Sequence, residues 1–180
     1  MTAARKYIPH YTIEDHATWE GDWELWDGVP IAMSPGPLGR HQMVARRLMR
    51  KLEDALLLAE CDAEVVHELD WIVGVNTLVR PDIVVVCGGI PDRYLETAPA
   101  LACEVLSDAT RDRDMHYKRA LYEKEGVSVY LVAHPDAGSV QAWARNRDGE
   151  FQAAPPGEIG AFRICEDCQI SLDCSDIFLN

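Results

Sequence analysis

The chain has 180 residues, enough for one domain with a full core and too short for two comfortable ones. Its 48% hydrophobic and 26% charged residues are a globular balance, with no signal peptide, spanning apolar run, low-complexity tract or repeat; this argues against a membrane or fibrous protein and predicts a cytoplasmic location. A net charge of −13 weighs against a nucleic-acid partner, yet ten of the 17 basic residues fall in two windows, Arg40, Arg46, Arg47, Arg50, Lys51 and Arg111, Arg113, Lys118, Arg119, Lys124.

In chain order, Thr12-Ile13-Glu14-Asp15 predicts a short helix with Thr12 as N-cap. Trp23–Trp26 and Val29–Met33 flank Asp27-Gly28, a strong hairpin signal, and Pro30 confines the second strand to an edge or its beginning. Residues 34–39 form a loop. From about His41, Val44, Leu48, Leu52, Ala55 and Leu56 recur at helical spacing, which predicts an amphipathic helix over 41–58 with a basic outer face. Three strands are predicted next, at about 62–73, 77–87 and 100–107. A second helix follows Thr110 and stops at Gly126, then a strand covers 127–132 and short strands fill the tail. Strands interleaved with two helices indicate an α/β chain, a mixed sheet with helices packed on it.

Of six cysteines, Cys165-x2-Cys168 with Cys174 beyond is the only metal-like spacing, and it lacks a second CxxC or a histidine pair. Reduced thiols are expected in the cytosol, with Cys168, Ile170, Leu172 and Cys174 as one buried strand face; a structural zinc protein is the weakest reading.

Two acids stand in apolar, β-favouring runs, Asp82 before Ile83-Val84-Val85-Val86 and Glu104 before Val105-Leu106. Burying an unpaired carboxylate costs several kcal/mol, so each needs compensation. Arg80 or Arg111 could supply it by ordinary ion pairing. A divalent cation shared by both acids would also do so, and would create a hydrolytic site. Phosphodiester hydrolysis further asks for a cationic side chain near the attacking water, and Lys118 sits on the helix after Glu104's strand.

Glu24-Leu25-Trp26-Asp27-Gly28, Met33-Ser34-Pro35, His41, Arg80-Pro81-Asp82-Ile83-Val84-Val85-Val86, Glu104-Val105-Leu106-Ser107, Thr110, Asp114, Lys118, Tyr122 and Gly126-Val127 resemble, in order and spacing, the Uma-two family of restriction-endonuclease-like proteins. The resemblance covers residues 10–178 and implies the PD-(D/E)XK nuclease fold, an αβββαβ core at about 41–134 within a single domain over 1–180, with an N-terminal hairpin and a β-rich tail. It further implies Asp82 and Glu104 as ligands of Mg²⁺ or Mn²⁺ and attack of water on DNA to leave a 5′-phosphate. The superfamily lysine two residues after the second acid is here Leu106, and Lys118 occupies the matching place on the next helix, where it would position the nucleophile. Glu24 matches a recurrent acid of the family, and it and His41 are expected to line the site. The function expected is a metal-dependent endodeoxyribonuclease, with a homodimer favoured by the hairpin edge. The alternative is a catalytically inactive nuclease-fold module used for binding or dimerisation.

Overall fold

In the computed structural model, residues 9–33, 39–108, 110–154 and 160–179 are described; the predicted loop lies outside them except for Gly39. Helix α1 (Ile13–His16) starts at Thr12, whose hydroxyl accepts the Asp15 N–H while the Asp15 carboxylate accepts the Thr12 N–H at 2.8 Å. This reciprocal pair satisfies two donors that a helix start leaves open. Strands β1 (Trp23–Trp26) and β2 (Val29–Ala32) pair antiparallel, with φ of 47° at Asp27 and 80° at Gly28. Positive φ at both turn residues is the tight-hairpin geometry that Asp-Gly favours. Pro30 falls on the sheet edge, where its missing N–H costs no ladder bond.

Two of the three predicted central strands break in half. The first becomes β3 (Ala63–His67) and β4 (Trp71–Gly74), parted at Glu68 with φ of 50°. The second becomes β5 (Thr77–Val79) and β6 (Ile83–Cys87), parted at Arg80-Pro81, where proline has no N–H to continue a ladder. The outer halves β4 and β5 join the hairpin in a four-stranded sheet of order β2-β1-β5-β4. The inner halves enter a six-stranded sheet with β7 (Leu101–Val105), β8 (Val129–His134), β9 (Ser139–Arg145) and β10 (Phe151–Ala153), in the order β10-β9-β8-β7-β6-β3. Within this sheet, among the described residues, β7 and β8 pair parallel and the other ladders are antiparallel. The expected αβββαβ order is thus present, with β4 and β5 inserted between its first two strands, and the class is a mixed α+β fold.

Each face of the larger sheet carries one helix. Helix α2 (Gly39–Leu58) places Val44, Ala45, Leu48, Leu52 and Leu56 against Ile83, Val85, Leu101, Cys103 and Leu131. Each large aliphatic buried there contributes about 1.5–3 kcal/mol. The basic side of α2 is less free than its sequence suggests. Arg47 donates to the Ile177 carbonyl at 3.1 Å, and Lys51 pairs with Asp176 at 2.9 Å, so the C-terminal turn lies across part of it. On the opposite face, the predicted second helix divides into a π-helical turn (Arg113–Lys118) and α3 (Arg119–Glu125), ended by Gly126 at φ of 100°. Tyr122, Val127, Tyr130, Val132, Leu106 and Trp143 form the core beneath it.

The tail closes as a two-stranded hairpin, β11 (Ala161–Arg163) with β12 (Gln169–Ser171), and Cys168, Ile170, Leu172 and Cys174 face the α2 side as one buried row. The expectation of six reduced thiols is corrected: Cys61 is bonded to Cys168 and Cys87 to Cys165, with Cα separations of 5.5 and 6.2 Å. The tail's folding explains the pairing, since it brings the Cys165–Cys168 turn to the sheet end where Cys61 follows α2 and Cys87 closes β6. Cys103 and Cys174 are free and buried. Among the described residues, no helix is long and apolar enough to cross a membrane.

Candidate active site

Pro81 ends β5 and lets the chain turn between the two sheets, so Asp82 stands just before β6 rather than within it. Its partner across the ladder is set by register: Ile83 pairs with Cys103, and the next position outward places Asp82 opposite Glu104. Asp82 Oδ2 accepts the Val105 N–H at 2.7 Å and faces His41 Nε2 at 3.3 Å. The alternative compensation of Asp82 by Arg80 does not occur, because the Arg80 guanidinium is held by Asp70 at 2.6 Å and Asp22 at 3.0 Å.

Glu104 lies inside β7 on the α3 face and is 2% exposed. Strand alternation puts Leu106 on the same face, and Leu106 is buried in the apolar cluster. The cation therefore reaches Glu104 from the helix above. Lys118, at the end of the π turn, places Nζ 3.1 Å from Glu104 Oε1, 3.0 Å from Glu24 Oε1 and 3.8 Å from Asp114 Oδ1. It also donates to the Arg80 carbonyl at 3.4 Å. Tyr122, four residues on, donates its hydroxyl to Glu104 Oε1 at 2.8 Å.

Glu24 enters from β1 of the smaller sheet, buried rather than solvent-facing. Its Oε1 accepts the Arg80 N–H at 2.7 Å and its Oε2 accepts the Trp26 indole N–H at 3.1 Å. Trp26 stacks on Tyr117 of the π turn at 4.2 Å, and so ties the hairpin to the segment that carries Lys118. The structure brings together Glu24, Glu104 and Lys118 directly; Asp82 and His41 form an adjoining pair.

Sequence reasoning did not assign Asp114 or Tyr122 a role. A signal was present, because residues 114, 118 and 122 recur at spacing four on a helical segment. Trp19 and Trp23 take no part in the cluster: Trp19 packs edge-on against Tyr11 and Trp23 at the hairpin's outer end.

One ammonium thus faces three buried carboxylates. Burial pushes Glu104 well above the usual carboxylate range, with Lys118 opposing the shift and Asp114 and Asp82 adding to it. Burial likewise pushes Asp114 up to about 6. Burial works against the Lys118 charge, but Glu104, Glu24, Asp114 and Asp82 outweigh it and hold the ammonium protonated. His41 is raised in the same way: burial disfavours its charge, and the Asp82 contact more than offsets that. The site carries more negative charge than its own cations balance. It must take up protons or a further cation.

Among the described residues, no three His, Cys, Asp or Glu side chains stand as a group that could hold a metal ion. Mg²⁺, however, is held through one or two carboxylates with water and substrate oxygens, so such a site does not require a trio. Among the described residues, the hydrogen bonds of the two acids fall on one oxygen each, Asp82 Oδ2 and Glu104 Oε1. The second oxygens and the surplus charge fit a small divalent cation.

The family model described as "Uma2: Putative restriction endonuclease" matches residues 13–170. No curated protein matches the chain. Among solved structures, the chain is similar to that titled "Crystal structure of a putative nuclease belonging to DUF820 from Anabaena variabilis ATCC 29413 at 1.96 A resolution". The TM-score is 0.73 at 18% identity, over 93% of this chain and 97% of that one. At that identity the likeness shows the fold.

Proposed function

We propose, for a chain that belongs to the Uma2 family of restriction-endonuclease-like proteins, that it is a metal-dependent endodeoxyribonuclease whose single domain hydrolyses DNA phosphodiester bonds at Asp82, Glu104 and Lys118. The observation that carries this reading is the Lys118 ammonium seated between two buried carboxylates from different sheets, at 3.0 and 3.1 Å, beside Asp82. Burying so many charges is costly, and a structural role alone would be served better by apolar residues.

Asp82 and Glu104 would hold Mg²⁺ or Mn²⁺, which supplies positive charge against the phosphate oxygens when bound. Lys118, anchored by Glu24, holds the attacking water on the line of the scissile bond. Glu24 keeps the lysine charged and placed, and Tyr122 orients Glu104. His41 fixes Asp82 in the arrangement set by the Val105 N–H.

A second reading, a nuclease-fold module without turnover, draws on one observation. Lys118 and Tyr122 both engage Glu104 Oε1, so that oxygen is already satisfied without metal. The deciding experiment incubates purified protein with single- and double-stranded DNA in Mg²⁺ or Mn²⁺ at low salt, beside Asp82→Ala, Glu104→Ala and Lys118→Ala. The nuclease reading expects chelator-sensitive cleavage that falls by at least about 100-fold in each variant. Cleavage retained in all three, or none by the wild type on either substrate, would sink it.

A further inference from the structure

Four cysteines from three distant parts of the chain meet at one end of the larger sheet, away from the carboxylate cluster. Cys61 stands just before β3, with its carbonyl accepting the Ala63 N–H at 3.0 Å. Cys87 ends β6 directly opposite Ala63 in the ladder. Cys165 and Cys168 flank the β11–β12 turn, where the Cys168 N–H reaches the Cys165 carbonyl at 3.4 Å. All four line one open depression. Each member of the Cys165-x2-Cys168 pair is bonded to one of the other two, so two disulfides spring from one turn and line the same depression.

We propose that this cluster, in its reduced state, is a structural Zn²⁺ site with four thiolate ligands. Among the described residues no three His, Cys, Asp or Glu side chains stand as a metal-holding group, and these four sulfurs are joined in pairs. Reduction makes all four available. Each disulfide takes two electrons and two protons from one equivalent of a dithiol, which is itself oxidised to its disulfide. The four thiols then bind one Zn²⁺ and release four protons.

The change asked for within each sulfur pair is small. Tetrahedral Zn–S bonds of about 2.3 Å require each bonded sulfur pair to open by about 2 Å. A C-x2-C turn supplying two ligands, and two adjacent strand-end positions supplying the others, is the arrangement of a closed structural zinc site. The pattern of two far-separated cysteines plus one CxxC pair hides it in sequence, since the two distant ligands become neighbours only through the β3–β6 ladder.

The chemistry also distinguishes this site from the nuclease centre. Thiolates select Zn²⁺ over Mg²⁺, whereas the carboxylates of Asp82 and Glu104 are hard oxygen ligands. The zinc would hold the C-terminal hairpin, with Phe162, Ile164 and Ile170, against the sheet and α2.

The test uses the full chain, purified under a non-thiol reductant without chelator. Metal analysis should find one zinc per chain, in wild type and in Glu104→Ala alike. Replacement with Co²⁺ should give thiolate-to-cobalt charge transfer and intense tetrahedral d–d absorption. Cys165→Ser and Cys168→Ser should lose the metal, while Cys103→Ser and Cys174→Ser keep it. Re-oxidation should release the zinc and lower the intact mass by four hydrogens. The proposal is overturned if reduced wild type shows neither bound zinc nor the cobalt–thiolate spectrum. It is equally overturned if the metal is lost in Glu104→Ala but retained in Cys165→Ser and Cys168→Ser. The cobalt spectrum of the wild type decides the matter even where a serine variant fails to fold.

Discussion

Replacing Lys118 by methionine removes the one cation facing Glu24, Glu104 and Asp114 while keeping most of the side-chain volume. Breaking a buried ion pair from one side costs about 3–5 kcal/mol when the stranded charge stays ionised. Here the stranded groups can take protons, because burial already raises Glu104 and brings Asp114 to about 6. An acid whose folded pKa is raised contributes stability that is present below its unfolded pKa and lost as pH rises through the folded value. Without the ammonium both pKa values climb further, and each added unit costs about 1.4 kcal/mol once the pH exceeds it. Urea unfolding of wild type and Lys118→Met should therefore differ by about 3–5 kcal/mol near pH 8, and by less than half of that near pH 5. Millimolar Mg²⁺ should recover part of the loss near pH 8 by replacing the missing charge. Equal destabilisation at both pH values would refute the charge account and leave only a packing defect.

Asp114→Asn should stabilise the fold near neutral pH by up to about 3 kcal/mol, the cost of ionising an acid shifted from 3.8 to about 6; denaturant titration should show the gain vanish below about pH 4. Tyr122→Phe deletes the hydroxyl that donates to Glu104 at 2.8 Å and should cost about 1.5–3 kcal/mol in the same assay, with cleavage reduced but present. His41→Ala should flatten the pH dependence of stability, since the raised His41 contributes below its ordinary 6.5 and loses that contribution as pH rises through its folded value; a thermal-shift series across pH reads it directly.

Much of this arrangement was legible in the sequence, and the reasons differ by element. The 3.6-residue periodicity of Val44, Leu48, Leu52 and Leu56 predicted α2, and Asp27-Gly28 predicted its hairpin, because local chemistry alone selects those conformations. Asp82 and Glu104 stood out because charge inside an apolar strand run needs a partner. What escaped was long-range. The splitting of 62–73 and 77–87 depends on two sheets competing for the halves of one apolar run, and only Pro81 hinted at it. Glu24 is buried because the smaller sheet leans on the π turn through Trp26 and Tyr117, a contact that no local pattern encodes. The disulfides likewise join residues 107 and 78 positions apart. The free basic face predicted for α2 was partly wrong for the same reason: the chain's own C-terminal turn takes up Arg47 and Lys51.

The π-helical turn at Arg113–Lys118 makes the carboxylate cluster sensitive to residue count as well as residue type. Its wider winding accommodates one residue more than regular α-helix would, so deleting a residue there would return the segment to α winding. The turns on either side would keep their mutual facing, because the deletion removes only the residue that the wider winding absorbs, and the change would fall on the side chains inside the turn. Tyr122, fixed in the apolar cluster, would keep its place, while Asp114, Tyr117 and Lys118, all inside the turn, would lose the spacing that seats them against Glu104 and Trp26. Length variation in this chain is therefore tolerable in surface connections such as 88–91 and damaging within the six residues of this turn.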